Sequence, residues 1–174
     1  GGGCCGDEPR AVEVDPSDGS YNLNNSIQVP LQGCCPLNVG GLTSIAGDEE
    51  FLVAIGDGEA RLVSFETNGG QDGPFNNDNL DGPGFQNGAP SLSYRSDKQQ
   101  VFVGKDDELR GYNLGLEFVD RLEFEGLLGE NQLGNPVPLD IQALTFVGDV
   151  IYIADDQTDT IYRASIPPPD SNPT

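Results

Sequence analysis

Three segments of the chain repeat one pattern at a nearly fixed spacing, and that repeat restricts the fold more than any other feature. The first runs Leu42-Thr43-Ser44-Ile45, then Phe51-Leu52-Val53-Ala54-Ile55-Gly56, then Ala60-Arg61-Leu62-Val63-Ser64-Phe65. The second runs Leu92-Ser93-Tyr94, then Val101-Phe102-Val103-Gly104, then Glu108-Leu109-Arg110-Gly111-Tyr112. The third runs Leu144-Thr145-Phe146-Val147, then Val150-Ile151-Tyr152-Ile153-Ala154, then Thr160-Ile161-Tyr162-Arg163-Ala164. Each reads as strand, polar turn, strand ending in a small residue, acidic turn, strand. The strand segments are rich in β-branched and aromatic residues, and the Gly, Asn and Asp between them supply turns. The opening leucines stand 50 and then 52 residues apart.

A period near 50 is long for a coiled solenoid and suits a propeller blade with an extended loop. The middle strand of each unit is almost continuously apolar, the expectation for a strand buried on both faces between neighbouring blades. The small residues that follow (Ala54 or Gly56, Gly104, Ala154) would let backbones approach closely. The third unit, Asp140-Ile141-Gln142-Ala143-Leu144-Thr145-Phe146 with Ile151-Tyr152-Ile153-Ala154-Asp155-Asp156 and Thr158-Asp159-Thr160-Ile161-Tyr162-Arg163, resembles blades of secreted propellers of the six-bladed type. The NHL-repeat, gluconolactonase-like and phytase-like groups share this look, and the resemblance implies blade geometry without an activity.

The expected fold is all-β, a propeller-type repeat of about four short antiparallel blades. Three units are evident. A partial blade is sought in residues 1–40, where Arg10–Val14, Tyr21–Leu23 and Ser26–Val29 alternate as strands do; Leu116–Phe124 reads as an outer, half-exposed strand. The alternative is an incomplete ring completed by another chain. On this reading residues 1–40 form an N-terminal arm with paired cysteines, 41–166 the three blades, and 167–174 a proline-rich tail that cannot form ladder bonds.

Charge sets the partners. Eight Lys and Arg stand against 29 Asp and Glu, a formal net charge of −21, which repels nucleic acid and anionic lipid. No apolar run is long enough to span a bilayer. The expected partners are further copies of the chain or other extracellular proteins. The chain holds no Met and begins at Gly1, as a processed chain or a fragment would.

Cys4-Cys5 and Cys34-Cys35 are two adjacent pairs. A bond between sequence neighbours needs a strained ring, so bridges between the pairs are expected, with bonds to a neighbouring subunit as the alternative. Disulfides place the chain in an oxidising compartment, outside the cell or at its surface. With no His, the Ser-His-Asp and Cys-His mechanisms and His-ligated metals are excluded. Carboxylates are the remaining chemistry. Asn77, Asn79 and Asp81 alternate before Gly82 as in the opening of a calcium loop, though position 88 is Gly where such a loop carries Glu. Asp106-Asp107 and Asp155-Asp156 fall at matching points of two units and are further calcium candidates, calcium being the one cofactor expected. Asn24-Asn25-Ser26 is a glycosylation sequon. The functional expectation is a non-catalytic extracellular structural or assembly protein, of a surface, matrix or filament type. A calcium-dependent propeller hydrolase and a glycan- or protein-binding module are the alternatives.

Overall fold

The fold was analysed in a computed structural model, which describes residues 10–28, 38–45, 50–56, 60–66, 78–79, 91–115, 117–124, 128–131 and 133–165. Every repeat of the sequence becomes an antiparallel sheet whose strands follow one another in chain order. Blade 1 comprises β3 (Asn38–Ser44), β4 (Glu50–Gly56), β5 (Ala60–Glu66) and the two-residue β6 (Asp78–Asn79). Blade 2 comprises β7 (Ser91–Arg95), β8 (Gln100–Lys105), β9 (Glu108–Asn113) and β10 (Phe118–Glu123). Blade 3 comprises β13 (Ile141–Val147), β14 (Val150–Asp155) and β15 (Thr160–Ser165). Among the described residues blade 3 has no fourth strand.

Two small ribbons accompany the blades. Ahead of blade 1, β1 (Arg10–Ala11) pairs with β2 (Ile27–Gln28), Val14 bridges Tyr21, and Leu23–Asn25 forms a 3-10 turn. The longer strands expected between residues 10 and 29 are therefore cut to two-residue pairs. Pro16 and Gly19 turn the chain, and Asn22 accepts the Asn24 amide, so Leu23 enters a helical turn and not a ladder. Between blades 2 and 3, β11 (Leu128–Glu130) pairs with β12 (Pro136–Pro138). Its prolines lie two residues apart, so both missing N–H groups fall on one edge, and Val137 opposite Gly129 is left to make the ladder bonds.

The blades stack through their innermost strands, β7 lying between β3 and β13. Strand periodicity then sorts each residue of blade 2 to one neighbour or the other. Leu92, Val101, Val103 and Tyr112 turn to blade 1 and bury Ile45 and Leu62 with them. Phe102 and Leu109 turn to blade 3 and pack with Ile141, Leu144, Ile151 and Ile153, with Leu139 from the lead-in segment. The Phe102 and Phe146 rings meet across this second interface at 4.9 Å. Strand β8 is buried on both faces, as its composition predicts. Strand β14 differs: Ile151 and Ile153 are buried, but Tyr152 and Ala154 are only half-buried, since no further blade covers them among the described residues.

Glycine makes the close stacking possible at two positions. A Cβ on Gly41 would lie 2.6 Å from Leu92 Cβ and 2.8 Å from its backbone nitrogen. One on Gly104 would lie 2.7 Å from both Leu109 and Leu144 methyls. Polar bonds then fix the blades in register. The Tyr94 amide donates to Thr43 Oγ1 at 3.3 Å, and the Ile141 amide donates to the Asp106 carbonyl at 2.8 Å. Arg95, buried in blade 2, lies over the Phe146 ring and donates to Asp149 at 2.6 Å and Asp97 at 3.0 Å. The Arg95 hydrogen bond holds the Asp97 carboxyl below its ordinary pKa.

Candidate functional site

Four of the acids expected to bind calcium, Asp106, Asp107, Asp155 and Asp156, sit at or just past the ends of the middle strands. Asp106, at φ 50°, contributes its carbonyl to blade 3, and the Asp107 carbonyl accepts the Phe124 amide at 2.9 Å. Asp155 is buried at 3% exposure, and its carboxylate serves its own turn. It accepts from the Gln157 amide at 3.0 Å, the Thr158 hydroxyl at 2.7 Å and the Asp140 amide at 3.3 Å. Asp156 is exposed, and its amide donates to the Asp140 carbonyl at 3.4 Å. Among the described residues no three His, Cys, Asp or Glu groups come together as metal ligands. Asn79 is described as part of β6, while Asn77 and Asp81 lie outside the described residues, as do Cys4, Cys5, Cys34 and Cys35.

Near the N-terminus, the hairpin closed by Val14 and Tyr21 frames an open groove of about 420 Å³ lined by Glu13, Asp15, Pro16, Ser20, Tyr21 and Asn22. Of its acids, Asp15 accepts from the Ser17 hydroxyl and amide, which hold its carboxyl below the ordinary aspartate value. Beside the groove, the Ser20 side chain and amide do the same for Asp18. Asn24 lies exposed on the adjoining 3-10 turn, where the Ser26 hydroxyl donates to the Leu23 carbonyl and accepts from Arg10. On blade 2, Glu108 is clasped by Arg110 and by Arg121. The Arg110 hydrogen bond lowers the Glu108 pKa and raises that of Arg110.

What the repeat alone does not reveal is a contrast between equivalent positions. The strand registers align Leu62, Leu109 and Ile161, each facing the next blade in order. The first two are fully buried, whereas Ile161 is 72% exposed. Ile45, Arg95 and Val147 form a second such set, at 6%, 7% and 63% exposure. Blade 3 therefore presents a sheet face of Ala143, Val147, Val150, Tyr152, Ala154 and Ile161, a blade-covering surface left open. Among the described residues Arg163 on this face has no ion pair, and Thr145 and Ser165 complete it. Its signal in the sequence is the apolar residue at every position equivalent to Leu62, whether or not a blade follows.

One solved structure among the comparisons with known proteins bears on the architecture. No protein-family profile matches the chain. No curated protein matches it either. Solved structures do. The WD40 β-propeller domain of Doa1 matches with a TM-score of 0.50 at 19% identity, over 78% of this chain and 40% of that one. BamB from Moraxella catarrhalis matches with a TM-score of 0.41 at 12% identity, over 90% of this chain and 38% of that one. A chain of a nidogen/laminin complex matches with a TM-score of 0.42 at 9% identity, over 88% of this chain and 84% of that one. The chain thus spans 40% of the length of the WD40 structure it matches. Fold and neighbour together define the class, a β-propeller built of antiparallel blades, present here as a partial set. Among the described residues no helix is long and apolar enough to cross a membrane.

Proposed function

We propose that this chain is a non-catalytic extracellular assembly protein that works by contact through its blade faces. The observation that carries the reading is the open face of blade 3, where Ile161 and Val147 are 72% and 63% exposed. Water contact at such apolar residues costs free energy that a covering surface recovers, and contiguous exposed apolar faces mark interaction surfaces. Four acids away from this face are committed to local partners: Asp155 to its turn, Glu108 to two arginines, Asp15 and Asp18 to serines. The extracellular setting is supported by the paired cysteines Cys4, Cys5, Cys34 and Cys35, read as disulfides, and by the likeness of the third unit to secreted NHL-repeat, gluconolactonase-like and phytase-like blades.

Light scattering after size-exclusion chromatography, over a wide range of protein concentration and with or without reductant, tests the reading. Reversible self-association that survives reduction is expected, since the open face is apolar and holds no cysteine. A monomer under every condition would overturn assembly. Mass spectrometry without reductant reads separately whether the thiols are bridged and whether any bridge joins two chains.

A further inference from the structure

Blade 1 carries the counterpart of the face left open on blade 3. The strand registers align Leu42, Leu92 and Leu144, each facing the preceding blade. Leu92 and Leu144 are 5% and 8% exposed because blades 1 and 2 cover them. Leu42 is 50% exposed. Gly41 beside it faces Leu92 in blade 2, so Leu42 points away from the stack. Phe65, on the same face as Leu42, is fully buried, so this face is open at Leu42 on the innermost strand and covered at Phe65 on the third. The chain thus repeats one blade-to-blade interface twice, and among the described residues the stack ends with Ile161 and Val147 uncovered on blade 3 and Leu42 uncovered on blade 1.

Resting on the assembly reading above, we propose that a second copy of this chain covers both ends of the stack. Blade 3 of one copy stacks on blade 1 of the other at the innermost strand, where β7 meets β3 and β13 meets β7 within the chain. Ile161 and Val147 take the roles of Leu109 and Arg95, and the second copy's Leu42 takes that of Leu144. Two copies of the three described blades give a ring of six, within the usual range of about four to eight, while three copies would exceed it. Each copy offers both faces, so the two identical contacts close on a two-fold axis and leave no unmatched face to propagate. Charge opposes this closure, since each copy carries a net −21. Salt screens that repulsion, so the pair tightens as ionic strength rises.

The test is sedimentation and light scattering of the wild-type chain and of two single variants, Leu42→Glu and Ile161→Glu, alone and mixed. Wild type is expected at twice 18.4 kDa, more completely dimeric at 0.5 M salt than at low salt. Each variant alone spoils both contacts of the ring and runs as a monomer. An equimolar mixture restores one intact contact, between Ile161 of the Leu42→Glu copy and Leu42 of the Ile161→Glu copy, so a dimer returns. Circular dichroism matching wild type guards against misfolding. A Leu42→Glu chain that still dimerises, while Ile161→Glu does not, would mean blade 3 pairs with blade 3 and would overturn the head-to-tail ring alone. A monomeric wild type would overturn the ring and the assembly reading together, leaving these faces to blades from outside the 174 residues.

Discussion

Replacing Gly41 with alanine probes the stacking of blades 1 and 2 with a single methyl group. The added Cβ would lie 2.6 Å from Leu92 Cβ, 2.8 Å from its nitrogen and 3.3 Å from its Cα. These neighbours belong to the backbone of β7 and its first side-chain carbon, so no rotamer change relieves the overlap. The two innermost strands must separate. Overpacking of this kind costs about 1–3 kcal/mol. Alanine also restricts the unfolded chain, which returns about 0.4–1 kcal/mol. The clash wins, leaving about 1–2 kcal/mol of destabilisation, which lowers the melting temperature by about 3–6 °C in a domain of this length. Gly104→Ala is the control. Its Cβ would meet the methyl ends of Leu109 and Leu144 and the Ser91 hydroxyl, groups that can turn aside. Its net cost is therefore smaller, about 1 kcal/mol or less. Urea denaturation followed by near-ultraviolet circular dichroism measures both. A Gly41→Ala chain as stable as wild type, or more stable than Gly104→Ala, would refute the close approach of β3 to β7.

Three further outcomes follow from the polar contacts. Arg95→Ala should destabilise by about 1–3 kcal/mol through lost packing on Phe146, while Asp149→Ala, whose side chain is 80% exposed, should cost no more than about 0.5 kcal/mol in the same denaturation assay. Glu108 titrates below its ordinary value when folded, so its contribution is present above roughly pH 4.3 and is lost as pH falls through the lowered value. Glu108→Gln should therefore lower stability by about 1 kcal/mol at neutral pH and flatten the acid limb of a stability-against-pH curve. Asp155→Asn should leave the response of the melting temperature to millimolar calcium the same as in wild type, because the Asp155 carboxylate already accepts from Gln157, Thr158 and Asp140. A site saturated a hundredfold would raise stability by about 2.7 kcal/mol and be obvious.

The blades were legible because their signal is redundant. Leu42, Leu92 and Leu144 fall at one structural position, and Gly104 marks a close approach that the structure shows. The outer strand read in Leu116–Phe124 is β10, with exposed residues at nearly every position. Burial in blade 3 was not legible. Val150 to Ala154 is apolar throughout, so periodicity could not say that Tyr152 and Ala154 are only half-buried; that depends on which blade lies alongside. Strand β12 has no strand signal in its sequence because Pro136 and Pro138 each lack an N–H, and it pairs because both prolines share one edge. The role of Asp155 was missed for a different reason. A run of two acids looks the same whether it faces solvent or caps a turn, and only the positions of the Gln157 amide and the Thr158 hydroxyl decide between them.

The central claim is that these sheets stack as neighbouring blades, with β7 held between β3 and β13. Amide hydrogen exchange at Tyr94 and Ile141 tests it most directly. Neither bond is local: the Tyr94 amide donates to Thr43 Oγ1, 51 residues away, and the Ile141 amide donates to the Asp106 carbonyl in the preceding blade. Both amides should be protected to a level near that of the Val101 and Val103 amides in the buried middle strand, and Thr43→Val should release Tyr94 while leaving Ile141 slow. Rapid exchange at both positions, with the hairpins themselves still protected, would contradict the stacked arrangement.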